Sequence, residues 1–538
     1  MKPGRLVRKG PVRWLAPTVL LRTLFPVYFS GLFARFSDRR EVEAVVPQKV
    51  VYTAPGDELW VDYVVDTADG FNATATVASL LAPEMLAVDG HVTRAGALLV
   101  LGGDEVYPVA SMREYEDRFI GPFQAALPHV EPGRTMVALP GNHDWYDGLT
   151  AFLQVFCSCQ WIGGWKTVQR RSYFACQLPN GWWLWAIDIQ FDTYIDQPQL
   201  EYFKAMADLV GGGDAIILCW AKPSWLEADP ASSAEARDQG WADAQKVRRG
   251  FETLDWFERT IVPKHAKVRL SLTGDAHHYA RYESDDGEHK ITAGLGGAFV
   301  SATHHLTPTL TKRTWRDGAR VATEFRRRAV YPSCEESRSM RWPVLARIYA
   351  NRGFAAIPAA AYAGLASWPT RPLLGVGSAA LVVGALVGFS KPGQPRRAWP
   401  GLLHGGVQVA AGLGLAWVVG RRTGNPLLVA GGTALLGAAV GPLLFALYLL
   451  ADDHALKLNT NELFAAQAID SHKGFLRLHF RPDGDLDLYP VRAASVTSWV
   501  EEPDADGRCR LRPSTPPEVA LIEERITVKR TPRGAPSR

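Results

Sequence analysis

GGDEVYP, residues 102–108, and PGNHDWYDG, residues 140–148, decide how this chain is read. Each follows a short apolar run, ALLVL at 97–101 and TMVAL at 135–139. Runs this short and this apolar predict strands buried on both faces. The arrangement recurs: WVDYVVD ends at Asp66, WWLWAID at Asp188, AIILCWAKP at Pro223 and KVRLSLTGDAHH at His278. Between the later runs, QLEYFKAMADLV (199–210) and AQKVRRGFETLDWFERTI (244–261) have helical spacing. Residues 41–310 therefore predict an α/β domain. Ligand sites in such sheets gather at the carboxyl ends of strands, where these polar clusters fall.

The residue types at those ends point to a chemistry. Asp, Asn and His are hard oxygen and imidazole donors, suited to Mn, Fe or Zn. Two such ions roughly 3.5–4 Å apart can clamp a phosphate and hold a hydroxide for in-line attack. Asp104 can bridge both ions, and Asn142 can offer a neutral oxygen to one. His143, on the same turn, can face the leaving oxygen as a general acid, with Asp144 orienting its ring.

GGDEVYP, GNHDWYDG and GDAHHY (274–279) resemble motifs of the calcineurin-like metallophosphoesterase superfamily. The resemblance covers roughly 60–305. It implies a four-layer αββα sandwich with a two-metal site. By resemblance, Asp66 matches the opening Asp, Asp104 the bridging Asp and Asn142 the metal-binding Asn. His143 matches the residue that assists the leaving group, and His277 the final metal-binding His. Three departures stand out. The family's Asp-x-His is Asp66-Thr67-Ala68-Asp69 here. The His expected shortly before a Pro is missing from Cys219-Trp220-Ala221-Lys222-Pro223. Gly-His-x-His is Gly274-Asp275-Ala276-His277. Asp69 and Asp275 are the expected replacements as metal ligands; His278 or His304 are candidates to fill the remaining gap. More carboxylate and less imidazole favours Mn or Mg over Zn or Fe, with one or two divalent ions per chain.

The second half reads differently. Residues 373–390, 401–420 and 426–451 contain no Asp, Glu, Lys or Arg, and each is long enough to cross a bilayer. Segment 354–369 is shorter, and beside the other three it reads as a fourth span. Between 312 and 352 lie eleven Lys or Arg against four acids, a flank that predicts a cytoplasmic position. Four spans place the catalytic domain and the C-terminal tail together on that side. Residues 1–40 begin basic and turn apolar; Pro17, Arg22 and Pro26 interrupt a straight span, so 14–36 reads as an interfacial anchor. Residues 311–353 read as a basic linker and 354–451 as the transmembrane region. Residues 452–510 read as a small C-terminal α+β module and 511–538 as a disordered tail. Asp57, Glu58 and Asp62 read as solvated strand-edge charges.

Composition supplies exclusions. At 538 residues the chain exceeds one compact core. Its formal charge of +4 argues against a nucleic-acid scaffold as partner. Six scattered cysteines predict reduced thiols. The expectation is a multi-pass, membrane-tethered hydrolase of phosphomonoesters or phosphodiesters, with the bilayer as its other partner. The alternative is a catalytically degenerate relative acting as a phosphate-ligand sensor or scaffold.

Overall fold

The computed structural model describes residues 6–23, 43, 45–189, 194–228, 241–316, 319–390, 398–503 and 507–530. Two nine-stranded sheets dominate it. In the first, Tyr52–Thr53, Phe174–Leu178, Trp182–Ala186, Ala215–Cys219 and Lys267–Thr273 lie in that order. His289–Ala293, Tyr279–Ser284, Ala319–Tyr331 and Thr309–Arg316 complete it. In the second, Leu59–Val64, Leu98–Leu101 and Thr135–Ala138 run parallel at the centre.

The apolar runs form strands because both of their faces find cover. Trp182–Ala186 is buried throughout. Trp182, Leu184 and Ala186 enter a core that also holds Val61, Tyr63, Val100 and Val137 of the other sheet. Trp183 and Trp185 turn the opposite way, against Phe203 of helix Gln197–Ala207 and Phe257 of helix Trp241–Thr260. This is the two-residue period of a strand. The outer face of the second sheet carries Leu99, Leu101 and Met136 against Val77, Phe123 and Phe152 of three further helices. Helices, sheet, sheet and helices thus stack in four layers.

Three helices are long and apolar enough to cross a membrane: Pro372–Phe389, Ala398–Gly420 and Pro426–Ala455. In the first, only 6% of the apolar window is buried within the protein, so its surface needs another apolar cover. The expected fourth span is the 11-residue helix Ala356–Ala366. At 1.5 Å per residue it is about 16 Å long, half of what a bilayer requires. It packs on the last long helix, where Gly437 and Gly441 leave room for Tyr362 and Pro358.

Several expected boundaries move. The basic segment 311–353 is largely a β-hairpin, Thr309–Arg316 with Ala319–Tyr331, at the edge of the first sheet. The C-terminal tail is no separate module, because Lys473–Phe480 pairs with Leu59–Val64 and so enters the second sheet. The domain and the tail therefore share one sheet. Order continues through Val519–Leu521 and Ile526–Val528, short strands that pair with Leu486–Ala493; residues 531–538 lie outside the described residues. Asp62 is not a solvated charge. It is buried against the buried Arg477, with Nε 2.6 Å from Oδ1. Removing either partner would leave a lone buried charge, at a cost of about 3–5 kcal/mol. Asp57 and Glu58 are exposed, as expected. All six cysteines are free.

Candidate metal centre

The carboxyl ends of five parallel strands converge, three from the second sheet and two from the first. Asp66, Asp104 and Asp275 leave their strands with φ of 58°, 53° and 60°. Asp tolerates this left-handed backbone better than most side chains. It turns each carboxylate inward. Backbone bonds hold the turns together: Asp66 N–H donates to Gly103 O at 3.0 Å, and Thr67 N–H to Asp104 O at 3.0 Å. Gly141 is required where it stands, because a Cβ there would collide with the Asp104 carboxylate.

Two groups of donors meet at Asp104. In the first, the Tyr107 hydroxyl lies 3.2 Å from Asp66 Oδ1, 3.4 Å from Asp104 Oδ2 and 3.1 Å from His277 Nε2. All four residues are buried. Asp66 Oδ2 is buried with no hydrogen-bond partner. In the second group, the end of the Asn142 amide that does not face Tyr146 lies 3.1 Å from both Asp104 Oδ2 and Asp275 Oδ1. If that end is NH2, it donates to both carboxylates. If it is oxygen, three oxygens converge, and a proton on a carboxyl or a bound cation must stand between them. Asp104 Oδ2 belongs to both groups.

The electrostatics press the same way. Burial, followed by neighbouring Asp275, pushes the Asp66 carboxyl well above its ordinary range. Burial, followed by Asp66 and Asp144, does the same to Asp104. Burial also raises Glu105, next to Asp144. A buried set of carboxylates raised together is relieved by a bound cation. Among the described residues, no three His, Cys, Asp or Glu side chains gather closely enough to hold a metal by themselves. The phenol of Tyr107 and the amide of Asn142 stand among these groups and would add oxygen donors to them for a divalent ion.

The expected residues divide. Asp66, Asp104, Asn142, Asp275 and His277 come together. Asp69 does not: its carboxylate accepts the Val12 N–H at 2.6 Å and ties down the N-terminal segment. Asp144 does not orient His143. It accepts from Gly141 N–H at 2.9 Å, from Glu105 N–H at 3.2 Å and from the Tyr115 hydroxyl, so it braces the turn. The His143 ring is oriented by Pro108 O, 2.7 Å from Nδ1, and its backbone N–H donates to Asp104 Oδ1 at 2.9 Å. A carbonyl only accepts, so Nδ1 carries the proton and Nε2 the lone pair. Burial lowers this imidazole to about 4. His304 is committed elsewhere, to Ser337 and Asp453. His278 is buried with neither ring nitrogen bonded. Tyr107 was missed. Its place three residues after Asp104, on the same turn, was the available signal.

The N-terminal segment closes one side. Trp14 stands edge-on to His143 at 5.7 Å and to Tyr107 at 6.3 Å, and Leu15 is buried beside Phe299 and Phe445. The start of the expected interfacial anchor is therefore part of the site; residues 24–36 lie outside the described residues.

No family model matches the chain, and no curated protein does. Among solved structures, GAP50, the anchor in the inner membrane complex of Plasmodium, is similar at 10% identity with a TM-score of 0.31. The match covers 50% of this chain and 88% of that one. A likeness that slight carries no inference about fold or function.

Proposed function

We propose that this chain is a membrane-tethered, metal-dependent phosphoesterase of the calcineurin-like superfamily, acting on a phosphomonoester or phosphodiester. The observation that carries the reading is the place of Asp104, whose Oδ2 is shared by two donor groups. When bound, a pair of divalent ions there supplies Lewis acidity toward a phosphoryl oxygen and acidifies a water molecule. The protein's own part is positioning and proton transfer. Asn142 and Asp275 border the cavity where a phosphoryl group would enter. His143 lines the same cavity, its ring held through Pro108 and its backbone through Asp104. Its Nε2 takes up a proton and passes it to the departing oxygen. Three carboxylates, an amide and a phenol against one imidazole favour Mn or Mg over Zn or Fe. The excess of Lys and Arg over acids between 312 and 352 favours a cytoplasmic position for the domain and tail.

The test uses the whole chain purified in detergent, with elemental analysis and a phosphoester panel under added Mn, Mg or Zn. Bound metal with Mn- or Mg-dependent hydrolysis is the expected result. Metal without turnover, or neither, would move the reading to a phosphate-ligand sensor or scaffold.

A further inference from the structure

The centre opens into a cavity of about 600 Å³ lined by both polar and apolar side chains. Asn142, His143 and Asp275 line it beside the carboxylate centre. Leu15, Leu20, Phe389 and Leu458 also line it, with Lys457, Thr460, Asn461 and Glu462 near Leu458. Phe389 is the last residue of the membrane-length helix Pro372–Phe389, and Leu458 follows helix Pro426–Ala455 by three positions. Asn459 joins the two helix ends, its Nδ2 donating to Phe389 O at 3.3 Å. The cavity thus runs from the carboxylate centre to the ends of helices whose apolar surfaces call for lipid. Lys222 and Lys457 add positive charge to its lining, and Asp275 and Glu462 negative charge.

A water-soluble ester gains nothing from apolar side chains at the ends of membrane-length helices. An amphiphile gains from both ends, with its phosphate at Asn142, His143 and Asp275 and its chain along Leu15, Phe389 and Leu458. Resting on the phosphoesterase reading, we propose that the substrate is a lipid phosphate ester drawn from the adjoining membrane. Hydrolysis adds water across the P–O bond. The phosphoryl group gains the hydroxyl oxygen, and the lipid alcohol leaves with the proton.

The test uses the whole chain with Mn, reconstituted in phosphatidylcholine vesicles. Two substrate pairs share their reacting groups: phosphatidate with glycerol 3-phosphate, and phosphatidylglycerol with glycerophosphoglycerol. In at least one pair, kcat/KM for the lipid should exceed its soluble partner by about a hundredfold, the gain from three or four buried methylene groups. Leu458→Glu should lower that lipid-to-soluble ratio at least tenfold, and the milder Leu458→Ser should lower it less. Turnover of soluble esters with a ratio near one would overturn the lipid proposal and leave the phosphoesterase reading standing. If metal is bound and nothing is turned over, the phosphoesterase reading fails, and a photoactivatable phosphatidate decides the lipid question. Labelling of peptides 14–20 and 455–465, displaced by unlabelled phosphatidate, would support a lipid site; its absence would overturn it.

Discussion

The two donor groups around Asp104 are built to different standards. Asp66, Asp104, Tyr107 and His277 offer four donors, none more than 7% exposed. Asn142 and Asp275, which share Asp104 with them, are only partly buried and border the cavity. Where the superfamily supplies another imidazole, this chain has Ala221. On the proposed reading, the first group would keep an ion and the second would exchange one with the ligand that enters.

Asp104→Asn attacks both groups and gives the largest effect. It should cost about 10³-fold in hydrolysis, in keeping with the several kcal/mol that such ions supply, together with metal from both positions. Loss of only one ion would show that Asp104 does not bridge. His143→Ala touches neither donor set. It should keep the metal yet slow an ester with a poor leaving group about 10²-fold more than one with a good leaving group. Equal slowing would make His143 a structural residue.

Tyr107→Phe tests the first group alone. It should weaken the tightly held ion about 10- to 100-fold, the range found when groups around a metal are removed. An unchanged metal content would reduce Tyr107 to a hydrogen-bonding prop. Asp275→His tests the second group. The backbone there is left-handed, which His also tolerates. Zinc affinity relative to manganese should rise about tenfold. An unchanged metal preference would remove Asp275 from the donors.

Asp69→Asn should spare both groups and act on stability alone. Burial raises the Asp69 carboxyl from 3.8 to about 6. The folded state therefore holds this proton more tightly than the unfolded chain. The contribution is fully present below about pH 4 and is lost as pH rises through 6, a change on the order of 3 kcal/mol. Asn keeps an oxygen for the Val12 N–H and carries no charge. Relative to the parent, the variant should be more stable at pH 7.5 than at pH 4.5, by denaturant titration. Metal loss on this substitution would return Asp69 to the ligand set.

What could be read in advance followed from locality. The apolar runs, the Asp, Asn and His at their ends, and the uncharged helices are each contained in a dozen or two consecutive residues. What could not be read depends on distant pairing. Asp62 looked solvated because Arg477 lies 415 positions away. The tail looked detached because its partner strand, Leu59–Val64, precedes the membrane helices. Asp144 looked like the partner of His143 because the two are adjacent, yet the helical turn Asn142–Trp145 sends their side chains apart. Asp69 resembled a replacement ligand by position, but the N-terminal segment claims it.

The pairing of Lys473–Phe480 with Leu59–Val64 also orders events at the ribosome. The chain makes Asp62 hundreds of residues before the Arg477 that neutralises it. When the last metal donor, His277, emerges, the second sheet still lacks one of its central neighbours and one edge remains unpaired. Only after the three long helices have been synthesised and handed to the membrane does the missing strand arrive. A chain that stalls before that point carries an open edge and an unpaired acid at Asp62. Completion of the second sheet thereby waits on synthesis of the three long helices.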